Sequence, residues 1–141
     1  MTQEDKNLLL KDLCARLPYG VKVKIPSIES PLTVLSINTN GVTWVTRDTG
    51  YPFEIDWENC KPYLFPLSSM TEEQKEELKN EISKQTEILL ERMKNNDCGI
   101  DCGKYYFHSL LELEWCNKNN FDYRGLIPKD LAIDATGLNI Y

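Results

Sequence analysis

The chain has 141 residues, 41% of them apolar, and a formal charge of −6. That is enough apolar content for one domain, or for a small β module with a helical appendage. No stretch approaches the ~20 consecutive apolar residues of a membrane-spanning helix. No cluster of lysine and arginine of the kind that grips a phosphate backbone is present. Membrane and nucleic acid are therefore not expected partners. The acidic surplus suits solubility or a basic protein partner, and it lies mostly in the second half, where residues 71–141 carry nine Lys/Arg against fourteen Asp/Glu.

The opening Met1-Thr2-Gln3-Glu4-Asp5 is acidic and polar, unlike a secretory signal, and five cysteines are an odd number for a disulfide framework. The expected compartment is the cytoplasm. Cys14 and Cys116 fall on apolar stripes and are expected to be small buried hydrophobes.

Thr2 with Asp5 three residues on forms a capping box for a first helix. Leu9, Leu10, Leu13, Cys14 and Leu17 give that helix one apolar face, and Pro18 with Gly20 ends it. From Val21 the period changes to two: Val21, Val23 and Ile25 alternate with Lys22 and Lys24. Residues 26–31 read as a loop and 32–38 as a strand. Asn38-Thr39-Asn40-Gly41 is a hairpin turn, 42–46 the return strand, 47–50 a second turn, and 53–57 a further alternating strand. Residues 60–65 add a short last strand, which Pro62 assigns to a sheet edge. Four or five short strands in this span suit a small antiparallel barrel of the Src-homology-3 or Tudor kind.

Thr71 and Gln74 form a second capping box, opening a long helix whose first half is nearly all polar. The helix continues through Ile82, Leu89 and Met93, and residues 95–103 form a loop. Residues 104–118 then read as a second, largely buried helix, rich in apolar side chains. The expected architecture is α+β: residues 1–70 hold the first helix and the barrel, and residues 71–141 hold a helical hairpin and a structured tail, the two packed as one unit.

Three phrases carry a resemblance: Leu13-Cys14-Ala15-Arg16-Leu17-Pro18-Tyr19-Gly20-Val21, Cys60-Lys61-Pro62-Tyr63-Leu64-Phe65-Pro66-Leu67-Ser68-Ser69-Met70-Thr71, and Asn120-Phe121-Asp122-Tyr123-Arg124-Gly125-Leu126-Ile127. They resemble a group of small uncharacterised proteins common in phages, prophages and mobile elements of gut Bacteroidales. The resemblance implies a mobile-element origin and an accessory role in the host cell, and it transfers no functional residue.

No phosphate loop, nucleophile elbow or paired metal-binding histidines occur, so a non-enzymatic protein is expected. Cys98 and Cys102 have the spacing of half a zinc loop, and His108, the only histidine, follows them. Cys116 lies eight residues past His108, about 12 Å along a helix, too far to share one tetrahedral ion. Cys60 or water would have to complete the set, and two loop cysteines beside a surface histidine are the plainer reading. The acidic neighbours Asp97 and Asp101 argue against a reactive thiolate. Among the aromatics of the β module, Trp44 and Trp57 fall within strand patterns and read as core. Tyr51, between Gly50 and Pro52, is the ring expected in the open. The Phe121-Asp122-Tyr123-Arg124-Gly125 turn has two readings. Asp122 and Arg124 pair locally, or Phe121, Tyr123 and Arg124 form a binding surface. The acidic face of the long helix reads as a solvated surface, with docking on a basic partner as the sharper alternative. The leading expectation is a protein that binds a host or phage protein, and the second is a small-ligand binder, for instance of a nucleotide signal.

Overall fold

The structure, a computed structural model, describes residues 1–38, 40, 42–47, 50–94 and 100–141, except for the side chains of 42, 93, 94 and 100–107. Helix α1 (Gln3–Arg16) starts at the expected box. The Asp5 amide donates to Thr2 Oγ1 at 3.1 Å, and the Thr2 amide reaches Asp5 Oδ2 at 3.3 Å. The helix passes into a 3-10 turn at Leu17–Tyr19 that accommodates Pro18, and Gly20 reverses the chain at φ +70°.

Four strands follow as a meander: β1 (Lys22–Ile25), β2 (Ile28–Ile37), β3 (Val42–Thr46) and β4 (Phe53–Asp56). A 3-10 turn at Trp57–Asn59 leads to β5 (Lys61–Leu64), and β6 (Ile133–Asp134) comes from the tail. The order is β4-β3-β2-β1-β5-β6, an open six-stranded sheet and not a closed barrel. Strand β5 reaches back to β1, but its other side is taken by the parallel β6, so the sheet grows outward there instead of curling onto β4.

Two strand assignments change. Residues 28–31 are the start of β2, not loop, because the β1–β2 reversal needs only Pro26 and Ser27. Strand β5 is interior, not an edge: Pro62 faces Val23 across the antiparallel β1 pairing, and Tyr63 and Leu64 pair with Ile133 and Asp134.

The chain divides into two compact units, residues 1–69 with 120–141, and residues 70–119. The tail thus groups with the sheet and not with the helices. It docks on β5 twice. The Phe65 amide donates to the Asn120 carbonyl and the Asp122 amide to the Phe65 carbonyl, both at 2.8 Å; further on, the Ala135 amide donates to the Leu64 carbonyl at 2.8 Å. The core of this unit joins Leu9 and Leu13 of α1, Val21, Val23 and Ile25 of β1 and its lead-in, Leu32 and Val34 of β2, Val45, Trp57, Cys60 and Leu64, and Leu126 and Leu131 of the tail. Cys116 is buried as expected, whereas Cys14 is exposed: the buried stripe of α1 runs through residues 9, 12, 13 and 16 and leaves position 14 outside.

Tyr141 closes a seam. It stacks obliquely on Phe65, and its hydroxyl accepts from the Lys22 amide at 3.2 Å and donates to the Tyr63 carbonyl at 2.9 Å. The phenol thereby bridges β1 and β5 just beyond their paired residues. Burial pushes the Tyr141 hydroxyl from 10 up to about 12. Because the folded value is raised, this stability is fully present below pH 10 and is lost as pH rises through about 12. Tyr141→Phe is expected to cost about 1 kcal/mol at neutral pH by removing the bridge. In urea titrations from neutral to strongly alkaline pH, the gap between wild type and variant should shrink as the phenol ionises. A constant gap across that range would rule the bridge out.

The second unit is α2 (Glu72–Lys94) and α3 (Ile100–Lys118). The expected box is present, with Gln74 N–H donating to Thr71 Oγ1 at 3.2 Å and Thr71 N–H to Gln74 Oε1 at 2.9 Å. Helix α3 begins earlier than expected, so residues 100–103 are helical and not loop. Over residues 108–118, whose side chains are described, Trp115 and Cys116 are covered, whereas Leu110 and Leu113 are exposed. Among the described residues, no helix is long and apolar enough to cross a membrane.

Candidate functional site

Helix α1 hides two charged side chains at its heart. Asp12 and Arg16, one turn apart, are both fully buried. Arg16 Nε–H donates to Asp12 Oδ2 at 2.8 Å and Nη2–H to Asp12 Oδ1 at 3.0 Å, a two-pronged pairing. The same Nη2 donates to the Phe121 carbonyl at 2.8 Å, tying α1 to a segment 105 residues away. A buried charge persists only where paired and hydrogen-bonded, and this triangle supplies both.

The Phe121–Gly125 phrase is built onto that triangle. Phe121 is buried, its ring tilted against Phe65 at 6.1 Å. Tyr123 presents its ring to two guanidinium groups, Arg16 at 5.7 Å and Arg124 at 4.6 Å. Arg124 Nε also lies 3.3 Å from Asp12 Oδ1, an ion-pair distance without hydrogen-bond geometry. One carboxylate thus serves two cations, and the negative face of the Tyr123 ring supplies the remaining compensation. The local Asp122–Arg124 pairing does not form. Asp122 is turned inward, and its two oxygens accept the Leu126 and Ile127 amides at 2.8 Å each. Backbone amides of a tight turn are the nearer partners, so they outcompete the arginine two residues on.

The structure therefore brings Phe121, Tyr123 and Arg124 together as a joint between α1 and the tail. Arg124 is half-buried, with 26% of its side chain exposed. The Tyr123 hydroxyl is buried and has no hydrogen-bond partner among the described residues. Removing an unsatisfied hydroxyl is close to neutral or stabilising. Tyr123→Phe is thus expected to shift stability by less than about 1 kcal/mol. A larger loss in a urea titration would mean that the hydroxyl is satisfied.

Tyr51 lies elsewhere, ahead of β4, and is 95% exposed. Of the two tryptophans expected in the core, one is exposed. Trp57 is buried, but Trp44 is 38% exposed, on the sheet face opposite Val34 and Val45 and between Ser36 and Glu54 of the neighbouring strands. Leu35, at an irregularity in the β2–β3 register, is 48% exposed. The alternation of β3 was legible, but which of its faces points inward depends on register. Strand β4 ends the sheet. Among the described residues, the backbone of Phe53, Glu54 and Ile55 has no hydrogen bond beyond β3.

Of the zinc candidates, Cys98 and the side chain of Cys102 lie outside the described residues. His108 is half-buried, its Nε2 3.2 Å from Thr86 Oγ1. Thr86 gives its one proton to the Ile82 carbonyl at 2.6 Å, so the histidine Nε2 must be the donor. Cys60, the reserve ligand, is buried, and burial together with Asp56 pushes its thiol up to about 12. It is protonated at neutral pH and a poor ligand or nucleophile there. Among the described residues, no group of three or more His, Cys, Asp or Glu side chains is placed to hold a metal ion.

Comparison with protein families, curated proteins and solved structures gives no match for this chain.

Proposed function

We propose that the chain is a non-enzymatic binding module that acts by docking another protein along β4 and the neighbouring Trp44 and Tyr51 rings. The observation that carries this reading is an edge strand with no second strand partner among the described residues, next to the exposed Trp44 on β3. Unpaired amides and carbonyls of an edge strand recruit an extended segment, and aromatic rings beside it supply the anchoring area. The order β4-β3-β2-β1-β5, with a 3-10 turn before β5, is also what a small Src-homology-3 or Tudor-like module would give, and such modules commonly bind peptides. The cytoplasmic setting and the origin in a phage or mobile element rest on the composition and on the three phrases of the sequence, and with them a host or phage protein is the natural partner.

The test is site-directed photocrosslinking in the native host. A benzophenone side chain at Tyr51 is expected to capture a discrete partner, and the same group at Lys84 on α2 should not. Trp44→Ser should abolish the capture without lowering the thermal midpoint appreciably, because Trp44 faces outward. Equal capture from both positions, or capture unaffected by Trp44→Ser, would refute the β4 surface.

Small-ligand binding is the second reading, favoured by an apolar cleft in the sheet-bearing unit.

A further inference from the structure

Between α1, β1 and β5 the surface opens into a cleft of about 260 Å³. Its floor is apolar and comes from four separate parts of the chain: Leu9 of α1, Ile25 of β1, Cys60 before β5, and Leu131 of the tail. That volume falls below the roughly 300–1,000 Å³ typical of drug-sized sites, so a nucleotide is too large and too polar for it. A short apolar body suits it.

The charges at the rim are not balanced. Lys24 and Lys61 both line the cleft and stand directly opposite each other in the β1–β5 ladder. Like charges at opposed positions repel and weaken a sheet. Lys61 is answered by Asp130 at 2.7 Å. Glu58, the rim's carboxylate, is already engaged with Lys6 at 2.7 Å. Lys24 has no ion-pair partner among the described residues. An apolar floor thus lies beside two lysines at opposed backbone positions, and of the two Lys61 has an ion-pair partner among the described residues and Lys24 has none.

We propose that the cleft binds a small apolar carboxylate, its hydrocarbon body on Leu9, Ile25 and Leu131 and its carboxylate bridging Lys24 and Lys61. The bridge neutralises the opposed lysines while the body removes the floor from water, so both halves of the ligand are needed. The same chemistry is offered by a free short-chain acid and by the C-terminal residue of a peptide ending in an apolar side chain. This inference is independent of the β4 surface, which lies at the other end of the strand order.

The test is titration of ¹⁵N-labelled protein with octanoate, read from amide shifts in two-dimensional NMR. Octanoate is expected to move the signals of Ile25, Cys60, Lys61 and Leu131 in one saturable transition. Octanol, which keeps the body but loses the charge, should bind about fivefold more weakly, as should octanoate to the Lys24→Met variant. Lys24 is exposed, so that variant keeps the fold. Leu131→Trp fills the floor and should block both ligands, with unchanged signals from β3 and β4 reporting that the sheet is intact. An acetylated tripeptide ending in leucine separates the sources: tighter binding with the same shift pattern assigns a protein C-terminus, and weaker binding assigns a free acid. Shifts scattered outside the cleft, equal affinity for octanol and octanoate, or indifference to Lys24→Met would each overturn the proposal.

Discussion

Asp12→Asn is expected to destabilise the protein by roughly 3–5 kcal/mol, more than any surface change. The substitution preserves shape and removes only charge. It leaves the guanidinium of Arg16 fully buried beside a neutral amide and takes away the carboxylate that, among the described residues, Arg124 approaches. Breaking one side of a buried pair is costly because the other charge stays behind without water. The pair as a whole is a different matter. In Asp12→Leu with Arg16→Met both charges leave together, so the double variant should recover at least about 2 kcal/mol over the single one, less the loss of the Arg16 bond to the Phe121 carbonyl, which keeps the Tyr123 amide at 3.0 Å. Urea denaturation of the three proteins decides it. A single-variant loss below about 1 kcal/mol would mean that water reaches the pair.

The second large effect is expected at Asp122. Its carboxylate holds the Leu126 and Ile127 amides, and Leu126 belongs to the core. Asp122→Ala orphans two amides, one of them on a fully buried residue, at a cost of roughly 2–4 kcal/mol. Asp122→Asn keeps one acceptor oxygen and should lose about half as much. Hydrogen exchange gives the site-resolved readout, with the Leu126 and Ile127 amides exchanging much faster in the alanine variant while those of β2 and β3 change only by the global loss. If the two amides are no faster than their neighbours, the turn is held by something other than this carboxylate.

What the sequence disclosed and what it concealed separate along physical lines. Both capping boxes, the change of period at Val21 and the β3–β4 pattern were readable, because each is written in residues within four positions of one another. The assignments that changed depend on distant partners. Pro62 argued for an edge, but the second neighbour of β5 arrives from residues 133–134, which no local pattern announces. Trp44 faces outward and not into the core, because alternation identifies two faces without saying which is inward. Cys14 falls at the apolar spacing of α1 yet lies outside its buried stripe, which Asp12 and Arg16 occupy. Their signal is an acid and an arginine at i, i+4 on an otherwise apolar face, a spacing met more often in solvent than in a core. Of the site residues, the exposure of Tyr51 was legible from its Gly and Pro neighbours. The cleft was not, since its floor comes from four elements and its rim charge emerges only when β1 and β5 are set side by side.

The way the tail returns to β5 has a consequence for how the protein is made. Residues 70–119 form a separate unit, and the unit that precedes them is finished only by residues 120–141. On the ribosome, α1 and strands β1 to β5 emerge first and then wait while some fifty more residues are added. Throughout that interval the outer side of β5 has no β6, Arg16 has no Phe121 carbonyl to bond, and the β1–β5 seam has no Tyr141. Contacts spanning more than a hundred residues cannot form early, whatever their strength. The nascent chain therefore passes through a stage with a second bare strand edge at β5, one that the finished protein covers and that would pair with a neighbouring chain if translation stalled there.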